Sequence, residues 1–168
     1  LQSLTAKPLA RLLKVAESSA RGFLIIGANP VARKIGKVLQ ESGVDVLMCD
    51  TSWDNIRAAR MDKLPTFYGN PVSEYADQKL DLVGLGKMLG LSPHREMNTL
   101  ASLRYRSEFG AHNIYTITTD RDSSAPDKHR IGNSHQGNVL FSQYLTYSHF
   151  SALLALGAEV KRTKLSEA

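Results

Sequence analysis

The sequence predicts an α/β protein with a doubly wound, mainly parallel sheet covered by helices on both faces. Short apolar runs that suit buried strands alternate with segments of helical periodicity along most of the 168 residues. The connections between them are short, as in consecutive βαβ units. With 42% hydrophobic and 22% charged residues, the composition is that of one globular domain and excludes a disordered or collagen-like chain.

The first half of the chain predicts three strands, each followed by a helix. The unbroken apolar run Phe23–Ile26 is typical of a strand buried on both faces of a parallel sheet, and Val44–Cys49 and Thr66–Tyr68 follow it. Helical spacing predicts helices over residues 30–42, 53–61 and 71–78. Gly43 suits the position just past the end of the first of these helices.

The second half continues the alternation less regularly. It predicts strands at residues 86–91, 113–119 and 139–141 and helices at 96–109 and 146–156, with a final extended piece at 159–165. The apolar positions of the longer helix indicate its inward face: Met97, Leu100, Ala101 and Leu103. Residues 120–138 lack apolar periodicity and predict a mobile or functional loop.

The N-terminal segment predicts a basic, amphipathic linker helix over residues 4–16. The first 21 residues carry a net charge of +3 out of +5, which favours contact of residues 7–21 with an anionic lipid surface. No aromatic residue separates these basic groups, so nucleic acid is not an expected partner. We expect the chain to be a piece of a longer protein, with residues 1–21 as an amphipathic entry segment, 22–145 as the main domain and 146–168 as a C-terminal helix and extended segment.

The turn after the first strand carries the most informative motif. Gly27-Ala28-Asn29-Pro30-Val31-Ala32 approximates the G-x-G-x-x-G/A pattern of dinucleotide-binding turns. In that pattern the first glycine makes the tight turn, the second lets a pyrophosphate approach, and the third position packs against the sheet. Gly27 and Ala32 suit these roles, whereas the Asn29 side chain is expected in space where the pyrophosphate would lie. Pro30 suits the first helical turn, whose N–H groups can face an anion.

Asp50 closes the second predicted strand, 23 residues after Gly27. At about this spacing a carboxylate binds ribose hydroxyls, and its charge repels a 2′-phosphate, so NAD or an adenine nucleotide is favoured over NADP. The sequence therefore predicts a Rossmann-like nucleotide site at the ends of the first two strands. The alternative is a degenerate turn that only connects strand to helix, with Asp50 capping the next helix.

Several segments resemble one family in the same order along the chain. They are residues 1–10, the strand and turn at 22–30, Asp50, residues 58–60 leading to Pro-Thr-Phe-Tyr-Gly-Asn at 65–70, and Glu-Met-Asn at 96–98. Together they resemble the cytoplasmic nucleotide-binding domain, of TrkA-N or RCK type, of bacterial monovalent cation:proton antiporters of the sodium/hydrogen exchanger type. Asn29 replaces the usual glycine of that family, and Asn70 stands where many relatives have aspartate.

The resemblance implies that a bound nucleotide, NAD(H) or AMP/ATP, alters subunit packing and so biases transport by an attached membrane domain. The binding residues predicted on this basis are Gly27, Ala28, Asn29, Pro30, Val31, Asp50, Thr51, Asn70, Pro71 and Ser92. It also implies a membrane-embedded antiporter domain in the same polypeptide, at the cytoplasmic face of the bacterial inner membrane. Leu153, Leu154 and Leu156, with short edge strands, predict a homodimer.

Other reactive side chains have two interpretations each. Tyr75 and Lys79 match the Y-x-x-x-K pair of short-chain dehydrogenases, but they follow the third strand rather than the fourth, so an exposed helix face is favoured. His94 either touches a ligand or lies in a surface turn. Trp53 either flanks an adenine or, as the favoured alternative, packs under a helix. Cys49 is predicted to be a buried strand residue rather than a nucleophile.

Metal binding and disulfide bonding are disfavoured. A single cysteine excludes a disulfide framework and a cysteine-based zinc site, and it indicates a reducing compartment. The polar segment contains histidines and aspartates without fixed spacing, which favours a solvated loop over a metal site: Asp122, Asp127, His129 and His135. We therefore predict no metal ligand and no catalytic residue.

Three functions are compatible with these patterns. The leading hypothesis is a regulatory domain that binds a nucleotide without turning it over and modulates a sodium or potassium/proton antiporter. The second is a free-standing NAD-dependent oxidoreductase, which needs a substrate domain and a positioned acid or base. The third is a ligand-free dimerisation module with a vestigial crevice.

Overall fold

The fold is described from a computed structural model for residues 21–124, 126, 132 and 135–161. Six strands form one sheet in the order β3-β2-β1-β4-β5-β6, and every neighbouring pair is parallel. The strands are β1 Gly22–Ile26, β2 Val46–Asp50, β3 Thr66–Tyr68, β4 Leu85–Gly90, β5 Ile114–Thr116 and β6 Asn138–Val139. The predicted doubly wound, Rossmann-like fold is confirmed. The strand order reverses between β1 and β4, the place where such sheets open a crevice at their carboxyl ends.

Most of the helices begin where a polar side chain caps them. They are α1 Pro30–Glu41, α2 Trp53–Met61, α3 Glu74–Lys79, α4 Arg95–Phe109, α5 Asp120–Ser124 and α6 Tyr147–Ala155, with a 3-10 turn at Ala111–Asn113. Four of them have a side-chain oxygen that accepts a hydrogen bond from the N–H three residues later, supplied by Asn29, Ser52, Ser73 and Thr146. The Ser73 cap explains why the helix predicted from residue 71 begins at Glu74.

The sheet separates two apolar cores. Ile25 of β1 faces one core, whose members include Val31 of α1 and Met48 of β2. Leu24 and Ile26 face the other core with Met88 and Tyr105. Alternate residues of a strand point to opposite faces, so a strand covered on both sides needs an unbroken apolar sequence. This is the reason that β1 is readable from the sequence.

The predicted inward face of α4 is wrong at two positions. Leu100 and Leu103 have exposed fractions of 52% and 44%. The buried side chains of this helix are instead Asn98, Ala101, Ser102, Tyr105 and Phe109. The small and polar residues let α4 approach the sheet closely: a Cβ on Gly90 of β4 would lie 3.1 Å from the Asn98 Oδ1 atom. The Asn98 amide is also paired with the Ser92 backbone, so its burial leaves no unpaired group.

The predicted loop 120–138 is not wholly irregular. It begins with helix α5, and its last residue, Asn138, starts β6. The Asp122 carboxylate accepts hydrogen bonds from the Thr119 N–H at 2.9 Å and from the Thr119 hydroxyl at 2.8 Å, which fixes the start of this segment. The predicted linker helix 4–16, Asp127, His129 and residues 162–165 of the predicted extended piece lie outside the described residues.

Replacing Tyr105 with phenylalanine is expected to lower the free energy of unfolding by about 1–2 kcal/mol. The Tyr105 hydroxyl donates a buried hydrogen bond to the Pro71 carbonyl oxygen, which would lose its partner. Burial also raises the pKa of Tyr105 to about 12. Urea denaturation measures the effect, and Tyr75→Phe on exposed α3 is the matched control, expected to change stability by less than about 0.5 kcal/mol. Equal effects of the two substitutions would contradict a structural role for this hydrogen bond.

Candidate functional site

The turn between β1 and α1 approaches other backbone segments so closely that it requires glycine. Gly27 has a φ angle of +110°, a conformation that side chains disfavour. A Cβ on Gly27 would lie 3.0 Å from the Asn29 Nδ2 atom and 3.2 Å from the Leu91 carbonyl oxygen. The Gly27 N–H donates to the Cys49 carbonyl oxygen of β2 at 2.7 Å. The tight turn predicted from the motif is therefore present.

The Asp50 carboxylate joins the end of β2 to this turn. Its Oδ2 atom accepts hydrogen bonds from the Ala28 N–H at 2.8 Å and from the Asn55 side-chain amide at 3.0 Å. Its Oδ1 atom accepts from the Ser52 N–H at 2.8 Å. A carboxylate offers about four acceptor positions, so three protein donors leave room for one more hydrogen bond. The predicted acid and the predicted turn are thus brought into direct contact.

Asn29 has an ordinary extended backbone and an internal side chain. Its φ and ψ angles are −66° and 171°, and 5% of the residue is exposed. The Oδ1 atom accepts from the Ala32 N–H at 3.0 Å, while Nδ2 donates to the Leu91 carbonyl oxygen at 2.8 Å. Pro30 is exposed and Val31 is fully buried, so only the backbone of Val31 is available to a ligand.

The outer positions of the predicted site lie after β2 and β3. Thr51 is exposed next to Asp50, and Asn70 is exposed at the end of β3. The Asn70 Oδ1 atom accepts from the Val72 N–H at 3.0 Å, so this side chain closes its own turn. The Gly69 N–H donates to the Asp50 carbonyl oxygen at 3.0 Å and holds the β3 turn beside β2. Pro71 is buried beneath this turn, where its carbonyl accepts from Tyr105.

Ser92 lies on the other side of the crevice, after β4. It is 6% exposed, and the Asn98 amide pairs with both its N–H at 3.0 Å and its carbonyl oxygen at 2.8 Å. The Ser92 hydroxyl accepts from the N–H of His94, an exposed residue just before α4. Ser92 is therefore a fixed part of the β4 loop, whereas Pro93 and His94 of this loop are exposed.

Several polar contacts near the Gly27 turn and the β4 loop were not predicted from the sequence. Arg33 of α1 donates to the Ala28 carbonyl oxygen at 2.7 Å and lies 3.6 Å from the Asp62 carboxylate. The Arg95 guanidinium lies 3.7 Å from the Asp122 carboxylate, which connects the β4 and β5 loops. The closeness of Arg33 to Gly27 in the sequence could have indicated that its side chain lies near the turn. The Arg95–Asp122 contact, in contrast, depends on the adjacency of β4 and β5.

The remaining candidate residues fall on the surface or in the core. Trp53 is 49% exposed, with its ring edge-on to Tyr68 at a centroid distance of 5.4 Å, so the favoured prediction of packing under a helix is wrong. Tyr75 and Lys79 are both exposed on α3. Cys49 is buried as predicted, and burial raises the pKa of its thiol. Within the described ranges, no three His, Cys, Asp or Glu side chains form a group that could hold a metal ion.

Comparison with protein-family models identifies the family of this chain. Residues 23–132, more than half of the chain, match the TrkA-N domain. The chain belongs to the TrkA-N domain family. No curated protein matches the sequence. None of the helices of the TrkA-N protein in its described part is long and apolar enough to cross a membrane.

Solved structures similar to this TrkA-N protein support the fold assignment. One is the NAD(P)-binding domain of an exopolyphosphatase-related protein from Archaeoglobus fulgidus, with 18% identity, a TM-score of 0.59 and coverage of 81% of this chain and 98% of that one. Another is the TrkA-N domain of the inner membrane protein ybaL from Escherichia coli, with 18% identity, a TM-score of 0.56 and coverage of 82% and 96%. The GsuK channel bound to NAD matches with 17% identity and a TM-score of 0.51, over 71% of this chain and 21% of that one.

Proposed function

We propose that this TrkA-N protein is a nucleotide-binding regulatory domain of a sodium or potassium/proton antiporter and binds NAD(H) or an adenine nucleotide. The observation that carries the proposal is the direct contact between the Gly27 turn and the Asp50 carboxylate at the carboxyl ends of β1 and β2. In doubly wound sheets a nucleotide lies across these ends, with phosphate near the turn and ribose near the acid. The family and the similar structures, which include an NAD(P)-binding domain and an NAD-bound channel, agree with it.

The chemistry of the site favours a ligand without a 2′-phosphate. Asp50 has a free acceptor position for a ribose hydroxyl, and its negative charge opposes a second negative group at the same place. Thr51, next to Asp50 in the sequence, and Asn70, after β3, are exposed and are proposed to contact the adenosine. The proposed ligands are therefore NAD(H), AMP or ATP, rather than NADP.

The proposed setting is the cytoplasmic face of the bacterial inner membrane. We infer that the basic residues 1–21 link the domain to a membrane-embedded antiporter domain of the same polypeptide and lie near anionic lipid. Residues 22–145 would then be the nucleotide-binding domain, and 146–168 its C-terminal extension. A homodimer is proposed because Leu153 and Leu156 on and after α6 are exposed.

A regulatory role is proposed in preference to catalysis. The Y-x-x-x-K pair of an oxidoreductase must converge on a substrate next to the cofactor. Tyr75 and Lys79 are exposed on α3, and the Tyr75 ring packs against Phe67 with a centroid distance of 5.8 Å. Their exposure on a short helix that follows β3 favours a surface role for both residues.

Calorimetric titration of the 168-residue chain with NAD, NADH, NADP, AMP and ATP tests the proposal. Saturable binding of at least one ligand other than NADP is expected, with NADP weaker than NAD by about 10-fold or more. Flat isotherms for all five at millimolar concentration would contradict nucleotide sensing and leave a dimerisation module. Multiple turnovers of NADH with a carbonyl substrate would contradict the regulatory role and support an oxidoreductase.

A further inference from the structure

The site of this protein differs from a standard dinucleotide turn at the position of the second glycine. Asn29 occupies it, and its φ angle of −66° is one that any residue can adopt. The backbone therefore does not require glycine at this position. A glycine there serves ligand approach, because it leaves room for a pyrophosphate beside the backbone. The role of the Asn29 side chain at this position therefore depends on the groups that it contacts.

The Asn29 amide oxygen takes a donor that a phosphate would otherwise use. The first N–H groups of a helix have no helical partner, which makes a helix start an anion-binding position. In α1 the Ala32 N–H donates to Asn29 Oδ1 at 3.0 Å. The amide oxygen thus stands where a phosphate oxygen could accept. Pro30 removes a second donor, because proline has no N–H.

The Asn29 amide nitrogen closes the crevice from the other side. It donates to the Leu91 carbonyl oxygen at 2.8 Å, directly after β4. The side chain therefore spans the gap between β1 and β4, where the strand order reverses and where a dinucleotide crosses such a sheet. Because 5% of Asn29 is exposed, moving this side chain breaks two buried hydrogen bonds.

Few backbone donors of the turn remain for phosphate. The Gly27 N–H donates to the Cys49 carbonyl, and the Ala28 N–H donates to Asp50 Oδ2. The backbone N–H groups of Asn29, at the N-cap of α1, and of Val31, in its first turn, have no helical partner by their position. Two such donors can serve a single phosphate group, but they do not replace the larger set of N–H groups that holds two bridged phosphates.

We propose that Asn29 is the specificity-determining residue of the nucleotide site and that it excludes a bridged diphosphate. The ligand class is then a nucleoside monophosphate such as AMP, with the ribose at Asp50, in preference to NAD or ADP. This inference rests on the proposed function, since it assigns the ligand of the same site. ADP is the most direct comparison, because it differs from AMP only by the second phosphate.

The test is calorimetric titration of the 168-residue chain with AMP, ADP and NAD. The unmodified protein is expected to bind AMP about 10-fold or more tightly than ADP and NAD. Asn29→Gly is expected to shift the ADP-to-AMP affinity ratio by about 10-fold or more towards ADP, because it frees the Ala32 N–H and opens the crevice. Asn29→Ser keeps a side chain that can cap α1 but is shorter than the amide, so a smaller shift in the same direction is expected.

Asn113→Gly is the matched control. Its amide donates to the Phe109 carbonyl oxygen at 2.8 Å, just before β5, and so lies at the opposite end of the sheet. This substitution also replaces an asparagine by glycine and removes one hydrogen bond from its side chain to the backbone, and it should leave the ADP-to-AMP ratio unchanged. Circular dichroism verifies folding of each variant, and Asn29→Ser carries the test if Asn29→Gly does not fold.

The outcomes separate the inference from the proposed function. Equal affinities of the unmodified chain for AMP and ADP, or an unchanged ratio in the folded Asn29 variants, would overturn the role of Asn29 while nucleotide binding stands. Flat titrations with all three ligands for the unmodified chain and its Asn29 variants would overturn both. A ratio that shifts equally in the Asn113 control would show a general loss of stability and also count against the inference.

Discussion

Replacing Gly27 with alanine is expected to lower the free energy of unfolding by about 3 kcal/mol and to abolish nucleotide binding. A side chain at a φ of +110° is strained, and the new Cβ would lie 3.0 Å from Asn29 Nδ2 and 3.2 Å from the Leu91 carbonyl oxygen. Both neighbours are held by their own hydrogen bond to each other, so neither can retreat cheaply. Urea denaturation and titration with AMP and NAD measure the two effects.

Gly43→Ala is the matched control for this substitution. Gly43 also has a positive φ, +78°, but a Cβ there would meet no atom within 4 Å. Gly43→Ala should lower the free energy of unfolding only by the cost of the backbone conformation, about 1 kcal/mol, and should leave nucleotide binding unchanged. If Gly27→Ala and Gly43→Ala lowered the free energy of unfolding equally, the close approach at the Gly27 turn would make no contribution to stability.

Replacing Asp50 with asparagine is expected to weaken nucleotide binding by about 100-fold and to lower the free energy of unfolding by about 2 kcal/mol. Three protein donors converge on this carboxylate: the Ala28 and Ser52 N–H groups and the Asn55 amide. An asparagine has only one acceptor oxygen and adds donors of its own, so at least one of these groups loses its partner. The ribose also loses a charged acceptor. Titration with AMP and NAD, and urea denaturation, report both losses.

Asp54→Asn is the control for the Asp50 variant. Asp54 lies exposed in the first turn of α2, close to Asp50 in sequence. Removing its negative charge should lower the free energy of unfolding by a few tenths of a kcal/mol, because the charge interacts favourably with the helix dipole, and should leave nucleotide binding unchanged. An Asp50→Asn protein that is less stable yet binds nucleotide at full affinity would make this carboxylate a structural group only.

The strands of the first half could be predicted because burial on both faces of the sheet requires a recognisable apolar pattern in the sequence. A strand buried on both faces needs a continuous apolar run, and Phe23–Ile26 has one. The face of α4 could not be predicted in the same way. Its Asn98 is buried because the Ser92 backbone, on a different element, offers both a donor and an acceptor. Such pairing overrides the apolar periodicity that pointed to Leu100 and Leu103.

Local spacing predicts the contact between the Gly27 turn and Asp50, whereas the contacts that depend on strand order could not be predicted. The distance of Asp50 from Gly27 along the chain predicts their meeting, because β1 and β2 are consecutive neighbours. The contact of Asn29 with Leu91 needs β4 beside β1, and no local pattern marks that pairing. The exposure of Trp53 was likewise missed, because its aromatic partner Tyr68 comes from β3.

The buried thiol of Cys49 has a practical consequence for spectroscopy. It is the single cysteine of the chain, it is 1% exposed, and burial raises its pKa, so little reactive thiolate is present at neutral pH. A fluorophore or spin label directed to a cysteine introduced at exposed Asp54 would therefore attach at one place in the native protein. Ligand-induced movement beside the carboxyl end of β2 could then be followed without removing any natural residue of the core.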